Sequence, residues 1–231
     1  MMQTKPILQS HGTRGFTMTE LMVALGILGL TMSGVVAFTF QAMNVFAYDS
    51  GRLLVNHDIR KFTGDMVTDA VYANYFQIYP NFTSRATPQA DGTTGDFLLL
   101  VSTDVIASSG TTTVTRIVGY YRDATGSTPG PVRRVFYDWG DANHGVILGA
   151  TTNTTATPPV YTMADLLDTF APTSASASNN IVIQLAEGLA SGNMFYNFKD
   201  HSVMIRSQID EQGKMVRKAV NTYNFTVSPR G

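Results

Sequence analysis

The chain contains no cysteine. Disulfide scaffolds, thiolate metal sites and cysteine nucleophiles are therefore excluded. Charge is scarce as well: Asp, Glu, Lys and Arg make up 14% of 231 residues, and the formal net charge is -1. The basic residues are spread along the chain rather than gathered into a stripe, so no nucleic-acid partner is expected. No H-E-x-x-H, G-x-S-x-G or phosphate-loop pattern occurs, and His11, His57, His144 and His201 stand far apart. Lacking any such constellation, the chain is expected to be no enzyme and to take neither an organic cofactor nor a small-molecule substrate.

The scarcity of charge is partly local. Leu21 to Tyr48 carries none, and no proline lies between Pro6 and Pro80. A bilayer core needs about 20 apolar residues in helical form, and this run exceeds that. A cleavable secretory signal fits poorly: its apolar core spans about 7–15 residues and ends at a small-residue site. No A-x-A triplet follows the run here. A single-pass anchor fits the length. Lys5 and Arg14 precede the run. Positive charge held on the cytoplasmic side predicts an internal N-terminus and an exported remainder. Glu20 is the residue that a plain anchor leaves unexplained. A carboxylate at the start of an apolar run is costly and is a functional candidate, unless it sits solvated at headgroup level. Gly26, Gly29 and Gly34 inside the run permit close helix packing or local melting, or reflect the ordinary frequency of glycine in membrane helices.

The string Arg14-Gly15-Phe16-Thr17-Met18-Thr19-Glu20-Leu21, after a basic leader and before the apolar run, resembles the processing site of the type IV prepilin family. That resemblance implies cleavage after Gly15 by a prepilin peptidase. It further implies N-methylation of Phe16 by the same enzyme, and a role in subunit assembly for Glu20, which stands at the fifth mature position. Freed at Phe16, a positive amine can approach Glu20 of a neighbouring subunit, and a paired charge costs far less in an apolar medium than a lone one. The implied localisation is the bacterial inner membrane, single-pass, with later incorporation into a periplasmic or surface filament. The implied partners are the peptidase, other pilin-like subunits and the membrane.

Beyond the apolar run, Val55, Ile59, Phe62, Met66, Ala70 and Ala73 recur at helical spacing. Asp58, Arg60, Lys61, Asp65 and Asp69 fall largely off that stripe, and Pro80 supplies a stop. The spacing predicts one helix from about Met18 to Tyr79, roughly 90 Å long at 1.5 Å per residue. Strand patterns follow over Phe97–Ile106, Thr113–Arg122, Val132–Trp139, Ile181–Leu185, Val203–Ile209 and Tyr223–Val227. Asp210-Glu211-Gln212-Gly213 reads as a hairpin turn. Thr162-Met163-Ala164-Asp165 reads as the cap of a short helix to about Phe170. The expected fold class is α+β: a long N-terminal helix, membrane-spanning in its first half, packed by its second half on a mainly antiparallel sheet. The expected division is residues 1–15 leader, 16–48 membrane and assembly segment, 49–80 head-packing helix, and 81–231 globular head.

Two further features invite a role. Asp138, Asp141 and Asn143 are oxygen donors on one predicted loop and form a candidate calcium site, although Asp, Asn and Gly also dominate ordinary turns. Phe136, Tyr137 and Trp139 beside Arg133 and Arg134 resemble a partner surface in composition, while alternation places Val135, Tyr137 and Trp139 on a core face. Without its leader the chain of 231 residues would keep 216, longer than the usual major pilin. Val118-Gly119-Tyr120-Tyr121-Arg122 and the ending Tyr223 to Arg230 are similar to J-type pseudopilins of type II secretion and to W-type minor pilins. The expected function is therefore a structural minor subunit of a type II secretion pseudopilus. The alternatives are a minor pilin of a type IV pilus, and a membrane-anchored enzyme or binding protein.

Overall fold

A computed structural model describes residues 15–122, 132–173, 193–211 and 219–229. Lys5 and Arg14, the strand pattern over Ile181–Leu185, and Gln212-Gly213 of the expected turn lie outside the described residues. The chain divides into two compact units, Met1–Ala47 and Tyr48–Gly231. Helix α1 spans Met18–Tyr72. Among the described residues ten strands and one short helix follow, so the α+β architecture holds.

The helix ends earlier than the sequence spacing predicts. Tyr75–Tyr79 forms strand β1 instead of a last helical turn. Its residues are aromatic or β-branched apart from Gln77, and such side chains fit a pleated surface better than a helix. The switch is fixed by hydrogen bonds. Ala73 N donates to Ala70 O (3.2 Å), which tightens the last turn, and Asn74 N donates to Val101 O (2.8 Å). Asn74 Oδ1 accepts from Thr103 N at 2.6 Å, so Asn74 bridges helix end and sheet.

Sheet one has the order β1-β3-β4-β5, where β3 is Phe97–Val105, β4 is Thr112–Arg122 and β5 is Val132–Asp138. Every pairing in it is antiparallel. Sheet two has the order β10-β9-β8-β2, with β2 at Thr94–Gly95, β8 at Phe195–Phe198, β9 at Ser202–Glu211 and β10 at Ala219–Val227. The expected turn residues Asp210 and Glu211 are therefore the end of a strand, because β9 pairs with β10 out to Glu211↔Ala219. A short parallel pair, β6 (Ile147–Leu148) with β7 (Val160–Tyr161), completes the strands.

The unbroken apolar run of β3 is explained by burial on both faces. Leu98 and Leu100 join a core with Phe62, Met66 and Ala70 of α1, Ala73 just beyond it, Val118 and Tyr120 of β4, and Phe195, Val203 and Ile205 of the second sheet. Phe97, Leu99 and Val101 face the other way, into a core with Tyr121, Val135, Val146 and helix α2 (Met163–Phe170), which contributes Leu166 and Leu167. Gly119 is required by this packing, since a Cβ there would lie 2.7 Å from the Phe97 ring. The helix stripe read from the sequence is the buried one, with Phe62, Met66, Ala70 and Ala73 nearly inaccessible.

Asp69 departs from expectation. It sits at the margin of the stripe and is buried, with 4% of its surface exposed. A carboxylate is tolerated there because cations reach it from the sheet. Arg116 Nη2 donates to Oδ1 at 2.5 Å, Arg134 Nη2 to Oδ1 at 2.9 Å, and Arg134 Nε to Oδ2 at 3.0 Å. The Tyr120 hydroxyl donates to Oδ2 as well. Burial, then the adjacent Asp69 carboxylate, pushes the Tyr120 phenol far above its ordinary range, so it remains a donor. A second buried pair, Asp96 with Arg122, joins the sheets: Asp96 Oδ1 also accepts from Met194 N at 2.8 Å. Arg85, 8% exposed, donates to Asp168 (2.7 Å) and to the Ala171 carbonyl (2.5 Å), and so ties the 80–95 loop to α2. Burial raises Tyr79 to about 12, opposed by the nearby Arg85 charge.

Removal of Asp69 would strand two partly buried guanidiniums. Asp69→Ala is expected to lower stability by roughly 3 kcal/mol, read as a lower thermal midpoint of the near-ultraviolet signal. The cap of α2 carries a smaller share. Thr162 Oγ1 accepts from Asp165 N at 3.1 Å, and Thr162→Ala is expected to cost about 1 kcal/mol in the same melt.

Candidate functional site

The first described residues need no special local conformation. A Cβ on Gly15 would meet nothing within 4 Å, and Phe16 is 85% exposed. The fold of this chain therefore demands neither a glycine nor an aromatic ring at these positions.

Thr17 immediately precedes α1. Its carbonyl accepts from Leu21 N at 3.2 Å, the first helical bond. Its side chain and that of Glu20 cap each other. Glu20 N donates to Thr17 Oγ1 at 3.3 Å, while Glu20 Oε2 accepts from Thr17 N and from Thr17 Oγ1, both at 2.9 Å. This is a capping box, in which two orphan donors of the first turn are satisfied reciprocally. The carboxylate also lies at the positive end of the helix dipole. Glu20 is thus neither stranded nor simply solvated within its own chain. Sequence reasoning singled out Glu20 but passed over Thr17. The signal was there: Thr17-Met18-Thr19-Glu20 has the T-x-x-E spacing of such a box.

From Leu21 to Ala47 every side chain is exposed, including Leu30 and Phe46 at 75% each. The helix is long and apolar enough to cross a membrane, with a mean hydropathy of 2.2 in its most apolar window. Its hydroxyls are satisfied within the helix: Thr31 donates to Leu28 O, Ser33 to Leu30 O and Thr39 to Val35 O, at 2.8–2.9 Å. Such back-bonding removes the cost of polar groups in a medium without water. Gly26, Gly29 and Gly34 have open space where a Cβ would stand, which leaves close approach of another helix unobstructed.

The candidate calcium loop is built as a series of turns. Asp138 Oδ1 accepts from Gly140 N at 2.7 Å. Asp141 Oδ1 accepts from Asn143 N (2.9 Å) and His144 N (3.1 Å) and lies 2.9 Å from His144 Nδ1. These bonds, with the His144 ring first, hold the Asp141 carboxyl below its ordinary range. Asn143 takes part through its backbone. Among the described residues, no three His, Cys, Asp or Glu side chains converge to hold a metal ion.

The aromatic residues of β5 divide between the two faces of the sheet. Val135 is core, while Tyr137 and Trp139 form a half-buried cluster with Phe170 at ring distances of 4.4–4.9 Å. Phe136 lies on the opposite face, 42% exposed, with Arg116 and Arg134 each within 5 Å of its ring centre.

No curated protein and no solved structure matches this chain. One family model does: the prokaryotic N-terminal methylation motif, over residues 10–36. That span contains Gly15, Phe16, the Thr17–Glu20 box and the first part of the exposed apolar helix, and over these residues the chain is similar to the type IV prepilin-like family.

Proposed function

We propose that this chain is a minor subunit of a type II secretion pseudopilus. It is cut after Gly15, methylated at the Phe16 amine, and assembled through α1 with other pilin-like subunits. The observation that carries the reading is the methylation motif placed on an apolar, exposed helix whose first turn holds Glu20. Gly15 and Phe16 answer to the peptidase, since the chain's own packing asks for neither. Lys5 and Arg14 keep the N-terminus in the cytoplasm, and the unit Tyr48–Gly231 is exported across the bacterial inner membrane. The role is mechanical, with no chemistry performed by the chain itself. Its length, the Val118–Arg122 tract in β4 and the ending in β10 support a minor subunit over a major one.

The first test is the mass and N-terminal peptide of the protein taken from host membranes. A chain beginning at N-methyl-Phe16 is expected. Retention of Met1 or Met2 in cells with active prepilin peptidase would overturn the reading. A second test separates assembly from folding. Among the described residues Glu20 bonds only within its own first turn. Glu20→Ala is therefore expected to abolish incorporation into filaments while leaving the melting temperature of the exported unit unchanged. Normal incorporation would end the assembly role. Deletion of the chain is expected to stop secretion of folded periplasmic proteins. Loss of surface pili with secretion intact would point to a type IV pilus.

A further inference from the structure

The outer edge of the first sheet is the strongest unexplained feature of the exported unit. In β5, alternate residues direct their backbone groups toward β4 and away from it. Trp139 N donates to Thr115 O at 2.8 Å, and the register pairs Arg116 with Asp138. Tyr137, Val135 and Arg133 therefore bond to β4, while Arg134, Phe136 and Asp138 turn their N–H and C=O outward. Among the described residues strand β5 ends its sheet and nothing bonds to those outward groups. The opposite edge is partly covered, since Gln89 N donates to Ile78 O of β1 at 2.6 Å. Edge strands are commonly protected by proline, a bulge or charged side chains, lysine above all, and of these β5 carries only charges, at Arg133, Arg134 and Asp138. From Val132 to Asp138 there is neither proline nor lysine, and the pairing with β4 has no register shift.

The side chains along this edge complement themselves. The sequence Val132-Arg133-Arg134-Val135-Phe136-Tyr137-Asp138 places two cations before Val135 and two rings after it. An antiparallel pairing centred on Val135 sets Arg134 opposite Phe136 of the second copy and Arg133 opposite Tyr137 of the second copy. Each cation then meets a ring rather than another cation, a favourable pairing in a sheet. The backbone parity agrees. Arg134 and Phe136 both point outward, so they form a hydrogen-bonded pair in this register, as an antiparallel ladder requires. The Arg134 guanidinium is already fixed: it donates twice to Asp69 and stacks 4.9 Å from its own Phe136 ring. Phe136 and Tyr137 are 42% and 38% exposed, on opposite faces of the strand.

We propose that two copies of this chain associate edge to edge through β5, about a twofold axis at Val135. Such an interface is isologous, each copy offering the same patch to the other. It extends the first sheet into a continuous sheet shared by two subunits. The pairing does not depend on leader removal or on the filament reading.

The absence of cysteine makes the test direct, because introduced thiols are the only ones in the chain. In the proposed register residues 133 and 137 of different copies face each other as a non-hydrogen-bonded pair, with Cβ atoms about 4.5–5.5 Å apart. Residue 133 lies about 13 Å along the strand from its own counterpart, beyond disulfide reach. The full-length chain in detergent micelles carrying Arg133→Cys with Tyr137→Cys is expected to form a disulfide-linked dimer on mild oxidation. Each single variant is expected to stay monomeric on a denaturing gel. A mixture of the two single variants is expected to give the mixed dimer. No cross-link in the double variant, with its thermal melt intact, would overturn the proposal. Equal cross-linking in the singles would overturn it too, because that is random collision. A cross-link to a different protein would assign the edge to another occupant. Should the double variant misfold, hydrogen exchange on the unaltered chain decides. The amides of Arg134 and Phe136 are expected to exchange more slowly at high protein concentration, and exchange independent of concentration would refute the pairing.

Discussion

The unit Tyr48–Gly231 depends on the burial of one carboxylate between a helix and a sheet. Asp69 projects from α1 into the space where Arg116, Tyr120 and Arg134 converge from β4 and β5. Those contacts close loops of 47, 51 and 65 residues. Apolar packing alone would let a helix slide along a sheet at little cost, since hydrophobic contact is non-directional. Four directed hydrogen bonds on a single carboxylate allow no such sliding. Ala70 and Ala73 beside it are small and fully buried, which brings the α1 backbone close to the sheet. Register fixed by Asp69 and approach permitted by alanine together place Phe62 edge-on against Tyr120, at 5.8 Å between ring centres.

The contrast with Glu20 is instructive. Both carboxylates lie on α1. Glu20 is satisfied by a residue three positions earlier, in an exposed cap. Asp69 is satisfied by cations distant in sequence, in a buried cluster. A local, exposed arrangement exchanges partners at a cost of about 1 kcal/mol, the usual worth of an N-cap. A buried cluster gives up its partner only at several times that cost. The first leaves a carboxylate able to change partners, and the second holds one within its own fold.

Much of this was legible in the sequence because the patterns were local. The apolar run from Leu21, the stripe at Phe62, Met66, Ala70 and Ala73, and the Thr162 cap all announce themselves through spacing within a few turns. The end of α1 was not legible. Tyr75 to Tyr79 continues a plausible helix, and only pairing with β3 across the fold makes it a strand. Asp69 was misplaced for the same reason. On the helix alone it reads as a solvated flank, and its partners declare themselves only when β4 and β5 are laid beside it. Thr17 is a different kind of omission. Its signal was local and present, but attention to Glu20 as a membrane charge hid its ordinary role as the partner in a cap.

The two kinds of information also divide by unit. Residues 15–47 are not specified by packing within their own chain: a glycine without steric need, a ring without packing, and apolar side chains without a core. Each would be a liability in a soluble domain, where exposed apolar surface of that extent drives association. Residues after Tyr48 are specified by their own core, down to the Gly119 that the Phe97 ring demands. A chain of this kind packs its own core in one unit, and in the other it carries an apolar helix long enough to cross a membrane and capped at its first turn.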